Sequence, residues 1–388
     1  MPSMSVGPTP LATVPVMTDR SGRSPVADEI VAVHQLEPLA AAALAGPVWD
    51  YVVGGAGDEM ALRRNRTAWA DVTAAPRTLV DVSRIDTSLT LLGQDLAHPI
   101  VVAPTARHAN YHPEGERGTL AGAKAADALY VQSSLGSTPL ADVARTAGDL
   151  DQPWWFQLYV QRDREFTANL VERATAAGAS ALVLTVDTPT LGARDRDKRA
   201  NLALENGVRY PILADAPLLI DSQTPAHRRV YNPLLAPDIT WNDLAWLIDT
   251  ATIPVLVKGV LRADDAQRYV AAGVGGIVVS NHGARNLDTA PATVEVLPEI
   301  VTAVAGRIPV LVDGGIRRGT DITSALCLGA TAVLVGRPII WGLAAYGPAG
   351  VTHVLDILRT ELEMAMALLG APTLAELTSD LLRDRREP

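Results

Sequence analysis

Short runs of mostly β-branched and other apolar residues recur along the chain, each ending in a polar or glycine-rich corner. There are eight: Pro99–Pro104, Leu129–Ser134, Trp154–Val160, Ala181–Pro189, Ile253–Val260, Gly276–Gly283, Pro309–Ile316 and Ala332–Ile340. Near-continuous apolar runs of this length suit parallel strands buried on both faces. Helical patterns fill the intervals. Asp163–Gly178, Arg262–Gly273 and Gly319–Gly329 each end at a glycine, as a helix stopping at a left-handed cap does. Strand and helix alternating in this way predict an α/β protein, a (β/α)8 TIM barrel. A doubly wound sheet is the alternative, but similar spacing of the units favours closure.

The interval between Pro189 and Ile253 is too long for one connection. Its last part, Trp241–Thr250, reads as a helix. Residues 195–240 carry charges, Pro and Asn, which predicts an excursion over the barrel mouth, as a lid or as a surface insertion without a role. Ahead of the first strand, Ala27–Gly46, Val48–Val53 and Met60–Ala70 read as helical, and Gly350–Gly370 as the closing helix. The expected division is a disordered leader (1–26), an N-terminal helical segment packing on the barrel (27–98), the barrel (99–375) and a C-terminal tail (376–388).

Charge narrows the function. A formal net charge of −10, with no long Lys/Arg run, argues against nucleic acid or an anionic membrane surface as partner. The apolar runs are too short for a transmembrane helix. The leader lacks the basic start and apolar stretch of a signal peptide, so a cytoplasmic location is expected. Cys327 is the single cysteine, which excludes intrachain disulfides and Cys-based metal sites, and no metal is expected.

Chemistry in such a barrel sits at the C-terminal ends of the strands. In chain order those corners hold Thr105 and Ala106; Ser133; Gln157 and Tyr159; Thr185 and Asp187, with Arg194 beyond; Lys258; His282 and Arg285; Asp313, Gly314 and Arg317; Gly336 and Arg337. Buried polar groups cost several kcal/mol if left unpaired, so polar corners all round imply a large polar ligand. The last two corners pair glycine with arginine where barrels commonly bind phosphate. Gln157, Thr185 and Ser133 suit the edge of a flat heterocycle, and Lys258 suits a negatively charged ring. His282, with Asp187 across the mouth, suits a general base. Arg194 and Arg285 supply forks for a carboxylate. Each of these has a plainer reading, a structural histidine or a surface salt bridge. Together they suggest oxidation at the carbon next to a carboxylate.

The stretch S-N-H-G-A-R-N-L-D (Ser280–Asp288) resembles the FMN-dependent α-hydroxy acid oxidase/dehydrogenase family, which includes glycolate oxidase, lactate oxidase and mandelate dehydrogenase. The resemblance runs from Val48 to Gly370 and takes in A-P-T-A (Ala103–Ala106), H-P-E-G-E (His112–Glu116), F-Q-L-Y (Phe156–Tyr159), T-V-D-T-P (Thr185–Pro189), L-V-K-G-V (Leu256–Val260), V-D-G-G-I-R-R-G (Val312–Gly319) and V-G-R-P (Val335–Pro338). It implies His282 as catalytic base with Asp187 as charge partner. Arg194, Arg285 and Tyr51 would bind the substrate carboxylate, and Tyr159 would lie near the hydroxyl. Lys258 would sit at the flavin N1/O2 edge. Gln157, Thr185, Ser133 and the backbone of Thr105 and Ala106 would contact the ring. Asp313, Gly314, Arg317, Gly336 and Arg337 would hold the ribityl chain and phosphate. The implied reaction is FMN-dependent oxidation of a 2-hydroxy acid to the 2-oxo acid. Dioxygen is the expected acceptor, giving hydrogen peroxide, since the chain shows no cytochrome-like domain and no membrane anchor. A homotetramer is expected by resemblance only.

Two departures bear on the substrate. Leu135 stands where glycolate oxidases carry Trp, and Arg107–Tyr111 is more polar than the family's usual stretch. They suggest an aryl or long-chain acid, larger than glycolate, with Arg107 or Tyr111 at its far end; Arg107 pointing to solvent is the plainer reading. Other readings stay open: a dehydrogenase with another acceptor, a biosynthetic tailoring enzyme acting on an unusual α-hydroxy or α-amino acid, or a flavin-binding protein without turnover. A nucleotide dehydrogenase on a similar barrel is disfavoured, because its loop cysteine is missing: Cys327 falls in a helical pattern.

Overall fold

The computed structural model describes residues 29–199, 210–217, 224, 228 and 230–383. The leader expected over 1–26, the end of the tail and much of the excursion lie outside them.

A two-stranded antiparallel hairpin, β1 (Leu89–Leu91) and β2 (Gln94–Leu96), precedes eight parallel strands. These are β3 (Ile100–Val102), β4 (Leu129–Ser133), β5 (Trp154–Leu158), β6 (Leu182–Thr185), β7 (Val255–Val260), β8 (Gly276–Val279), β9 (Val310–Val312) and β10 (Ala332–Val335). They pair in chain order, and β10 closes on β3 with Val333 opposite Ile100 and Val335 opposite Val102. The closed barrel expected from the alternation is therefore present, and the eight apolar runs each hold one strand. The helices Arg164–Ala176, Trp241–Thr250, Ala263–Ala271 and Gly319–Cys327 fall where the pattern placed them.

Two elements differ from expectation. The hairpin lies inside the segment read as helical; its strands of three residues are too short to show a period. The eighth run predicts strand to Ile340, yet Arg337 already starts the helix Arg337–Leu369. Gly336 breaks the strand with φ −105° and ψ −85°, and Pro338 suits a first helical turn. That helix is interrupted at Tyr346 and Gly347, just before Pro348, so the closing helix expected from Gly350 is its second half.

Strand pleating sorts the buried residues into two sets. Trp154, Phe156 and Leu158 of β5 join the outer core, which the helices cover with residues such as Leu170, Leu297 and Leu355. Trp155 belongs to the inner core, with Val183, Leu256, Val278, Leu311 and Leu334. Leu91 and Leu96 of the hairpin close this core at the strands' N-terminal ends, where Gln94 reaches Ser180 and Trp155. Each such side chain contributes roughly 1.5–3 kcal/mol by leaving water. Two residues further along the same strands, the inward positions become Gln157, Thr185, Lys258, Ser280 and Asp313.

Candidate functional site

Those polar positions form a rim that is cross-linked strand to strand. Ser133 Oγ donates to Gln157 Oε1 at 3.2 Å, and Gln157 Nε2 donates to Thr185 Oγ1 at 3.0 Å. Lys258 Nζ donates to Ser280 Oγ at 2.8 Å, Ser280 Oγ donates to Asp313 Oδ2 at 2.9 Å, and Lys258 Nζ lies 3.1 Å from that same carboxylate oxygen. Burial works against the Lys258 charge, but Asp313 and Asp187 outweigh it and raise its pKa, so it is an ammonium. Asp313 Oδ1 is buried without a hydrogen-bond partner among the described residues.

Above the rim opens a cavity. Of the expected site residues, Tyr51, Thr105, Ala106, Ser133, Leu135, Gln157, Tyr159, Thr185, Arg194, Lys258, His282, Arg285, Asp313, Gly314, Arg317, Gly336 and Arg337 line it. Asp187 and Arg107 do not; they stand behind the wall.

The corner after β8 is built for His282. His282, Gly283 and Ala284 all have positive φ, near +60°, which is rare and costly for the two non-glycine residues. His282 Nδ1 lies 2.8 Å from Asp187 Oδ1. Asp187 reaches it because Gly259, at a bulge in β7, leaves room: a Cβ there would come within 2.6 Å of Asp187 Cβ. Burial raises the Asp187 pKa, but His282 and Lys258 hold it below the usual carboxylate value, so Asp187 is ionised. Burial pushes the His282 pKa down; Asp187 opposes this, Lys258 and Arg194 reinforce it, and the net shift is downward. The imidazole is therefore neutral at neutral pH, with its proton on Nδ1 toward Asp187. Nε2 is left as a lone-pair nitrogen for the cavity.

The rest of the S-N-H-G-A-R-N-L-D stretch supports this corner. Asn281 and Asn65 exchange amide hydrogen bonds at 2.7 and 2.8 Å, joining β8 to the N-terminal segment. Asp288 accepts from the backbone N–H of Asp58 and Ala61 at the start of the helix Met60–Thr67. Asn286 Nδ2 donates to the Asp187 carbonyl at 2.8 Å, and its Oδ1 accepts from Arg194 Nη2 at 3.1 Å.

Arg285 donates from Nη1 to the carbonyls of Tyr51 and Gly54, both at 2.8 Å, while its buried Nη2 lacks a hydrogen-bond partner among the described residues. Asp197, which sequence reasoning missed, lies 3.5 Å from that Nη2 and 3.9 Å from Arg194 Nη1. Burial raises its pKa above the ordinary value despite the arginines. Burial also lowers the Arg194 pKa, helped by Arg285. The two guanidiniums thus repel each other, and an added carboxylate would relieve them. Tyr51 sits beside them. Burial raises its pKa, but Arg107, Arg285 and Arg194 more than offset this. Arg107, expected at the far end of a substrate, instead lies over the Tyr51 ring and binds Tyr210. Tyr111 does line the cavity, its hydroxyl donating to the Ala106 carbonyl at 3.0 Å. Leu191 and Leu235 add apolar wall that was not foreseen.

Arg317 stacks on Trp341 at 4.7 Å, and Arg337 donates to the carbonyls of Val52, Gly283 and Gly54, the last shared with Arg285. Burial lowers both to about 9, and same-charge neighbours add to it. Among the described residues neither guanidinium is in hydrogen-bond contact with a carboxylate, and two such half-buried cations suit a phosphate. Gly314 and Gly315 are needed for another reason: both have positive φ, and a Cβ on Gly315 would meet the Asn65 carbonyl at 1.9 Å.

Residues 40–384 match the model of the FMN-dependent dehydrogenase family. A peroxisomal (S)-2-hydroxy-acid oxidase of Oryza sativa subsp. japonica is 46% identical over 90% of this chain and 94% of its own. An L-lactate oxidase of Nostoc sp. is 45% identical, covering 90% of this chain and 97% of its own. A crystal structure of mandelate oxidase with (S)-4-hydroxymandelic acid superposes with a TM-score of 0.82 at 40% identity, covering 91% of this chain and 98% of its own.

Proposed function

The chain belongs to the FMN-dependent dehydrogenase family and is an FMN-dependent oxidoreductase of the (S)-2-hydroxy-acid oxidase type, and from that premise we propose that it oxidises a 2-hydroxy acid larger than glycolate, passing two electrons to dioxygen. The products are the 2-oxo acid and hydrogen peroxide. The observation that carries this reading is the meeting, in one cavity, of a neutral His282 backed by Asp187 with Arg194, Arg285 and Tyr51.

The residues fit FMN. Arg317 and Arg337 match its phosphate in charge, with Gly314 and Gly336 beside them. The unpartnered Asp313 Oδ1 suits a ribityl hydroxyl, and the Ser133–Gln157–Thr185 ladder suits a flat ring edge, as does the backbone of Thr105 and Ala106. Bound FMN supplies a two-electron acceptor. Lys258, held as an ammonium, offers a positive charge on that side of the cavity.

For substrate, Arg194, Arg285 and Tyr51 bind the carboxylate and displace part of the Asp197 contact. His282 Nε2 accepts a proton as the carbon–hydrogen bond is oxidised, and Asp187 stabilises the imidazolium that forms. The Tyr159 hydroxyl, whose pKa burial raises, remains protonated and is available to the substrate oxygen. Leu135, Leu191, Leu235 and Tyr111 provide an apolar end for an aryl or long alkyl group. The relatives named oxidases support dioxygen as acceptor. We extend the reading to a homotetramer, by resemblance; among the described residues no helix is long and apolar enough to cross a membrane.

In air, one peroxide should appear for each 2-oxo acid. Turnover only with an added dye would assign another acceptor. Leu135→Trp should shift preference toward small acids by about ten-fold, since a filled pocket discriminates by about 1–3 kcal/mol. An unchanged ratio of kcat/KM for mandelate over glycolate would refute the size argument.

A further inference from the structure

Arg107 is a buried cation that the reaction does not use. It is 7% exposed and stands in a left-handed conformation, φ +65°, just after Thr105 and Ala106, which line the cavity. Its guanidinium carbon lies 4.7 Å from the centre of the Tyr51 ring and 5.4 Å from that of Tyr210. Nε donates to the Tyr210 hydroxyl at 2.8 Å, and Nη2 donates to it as well. The Tyr51 ring also carries Arg285 at 4.8 Å.

Tyr210 opens a described piece of the excursion after β6. That piece, 210–217, is seated by its own buried Ile212 and Leu213. Further along, Leu235 pairs with Gln161 beyond β5 and lines the cavity. The described pieces of the excursion are thus packed at the barrel mouth, and Arg107 links Tyr210 to the N-terminal segment that carries Tyr51, as Arg196 links the start of the excursion to Asp50 and Glu59.

We infer that Arg107 is a positioning residue for substrate affinity: by binding Tyr210 and stacking on Tyr51, it holds the 210–217 piece and the carboxylate-binding tyrosine in one arrangement. This rests on the reading of Tyr51 as a carboxylate ligand. Arg107 itself contacts neither substrate nor the reacting atoms. Its loss weakens binding and leaves the proton-transfer geometry at His282 in place.

The test uses FMN-loaded enzyme mixed anaerobically with (S)-mandelate and (S)-lactate, giving half-saturation and limiting rate of flavin bleaching. Oxalate binding, read from the flavin absorbance shift, gives affinity without turnover. In Arg107→Met, both half-saturation and oxalate Kd should rise about ten-fold, as expected for losing a desolvated cation–π contact and charge-assisted hydrogen bonds. The limiting rate should stay within about two-fold, because an affinity change without a rate change marks uniform binding. Tyr210→Phe, a conservative change, should raise the same constants, and the double variant should be little worse than Arg107→Met, since coupled neighbours are non-additive. Arg107→Lys, with the charge but not the fork, should recover only part. Unchanged affinity in both single variants, or effects that simply add, would overturn the inference. Tyr51→Phe separates the two claims. If it leaves oxalate Kd unchanged, the Tyr51 reading and the inference fall together. If it weakens oxalate while Arg107→Met and Tyr210→Phe do not, the inference alone falls.

Discussion

On five strands the inward side chains of one layer are Trp155, Val183, Leu256, Val278 and Leu311, all buried in the inner core. Two residues on, the same strands present Gln157, Thr185, Lys258, Ser280 and Asp313. Both layers are buried, yet they are held by different physics. The lower layer packs without polar atoms and gains stability from burial alone. The upper layer pays for desolvated polar groups and recovers the cost through mutual hydrogen bonds and through a ligand. Asp313 Oδ1, in the upper layer, has no hydrogen-bond partner among the described residues, which is where the proposed ligand would complete it. One pleat therefore separates residues whose loss unfolds the protein from residues whose loss silences it.

Substitutions can break this contrast from either side. The largest effect expected is on rate. His282→Ala should cut flavin reduction by about 10²–10⁴-fold, a general base's share, while FMN stays bound and the melting temperature is nearly unchanged. Normal turnover would remove His282 from the mechanism. Trp155→Ala, in the layer below, should do the reverse: about 3–5 kcal/mol of stability lost to a cavity, with the substrate affinity of the surviving folded fraction near normal. Urea unfolding beside anaerobic reduction reads both. Next comes the ligand. FMN at a hundred times its Kd should stabilise the apoprotein by about 2.7 kcal/mol, and the gain should shrink in Arg317→Met. A melting temperature indifferent to FMN would mean that the rim is complete by itself.

The smallest effect is on pH. The His282 pKa is depressed, so the neutral base persists on the acid side of the ordinary imidazole value of about 6.5. The reduction rate should therefore fall with acid, through an apparent pKa below that value, and stay flat above it. In Asp187→Asn the carboxylate that raises the His282 pKa is gone, and the acid limb should move lower still. A limb that moves upward would contradict the assigned pairing.

The contrast between layers also explains what was legible in the sequence. Apolar runs of regular spacing reveal the strands, because burial on both faces leaves no other pattern. A polar residue at the end of such a run is conspicuous for the same reason, which is why His282, Lys258, Asp313 and Gln157 stood out. The hairpin Leu89–Leu96 was missed because three-residue strands carry no period. Arg337 was read into the last strand because only the backbone at Gly336 ends it. Asn286 and Tyr210 carry no local signal because their partners lie far along the chain, as does Arg285, one of the two partners of Asp197. Tyr210 meets Arg107 across 103 positions, and Asn65 meets Asn281 across 216. No local spacing signals such pairs. Arg107 stood out as a polar departure, and its direction, away from the cavity and onto Tyr51, is set by a backbone angle that the sequence does not display.

The most direct test of the whole account is an anaerobic absorbance titration of the FMN-loaded protein with glycolate, (S)-lactate, (S)-mandelate and a long-chain 2-hydroxy acid, run beside His282→Ala. Bleaching of the wild-type flavin by the larger acids, with the variant staying yellow, is the predicted result. A wild-type flavin that none of these acids bleaches, or a variant that bleaches at the same rate, would contradict the claim that the rim, the base and the paired arginines form one oxidising site.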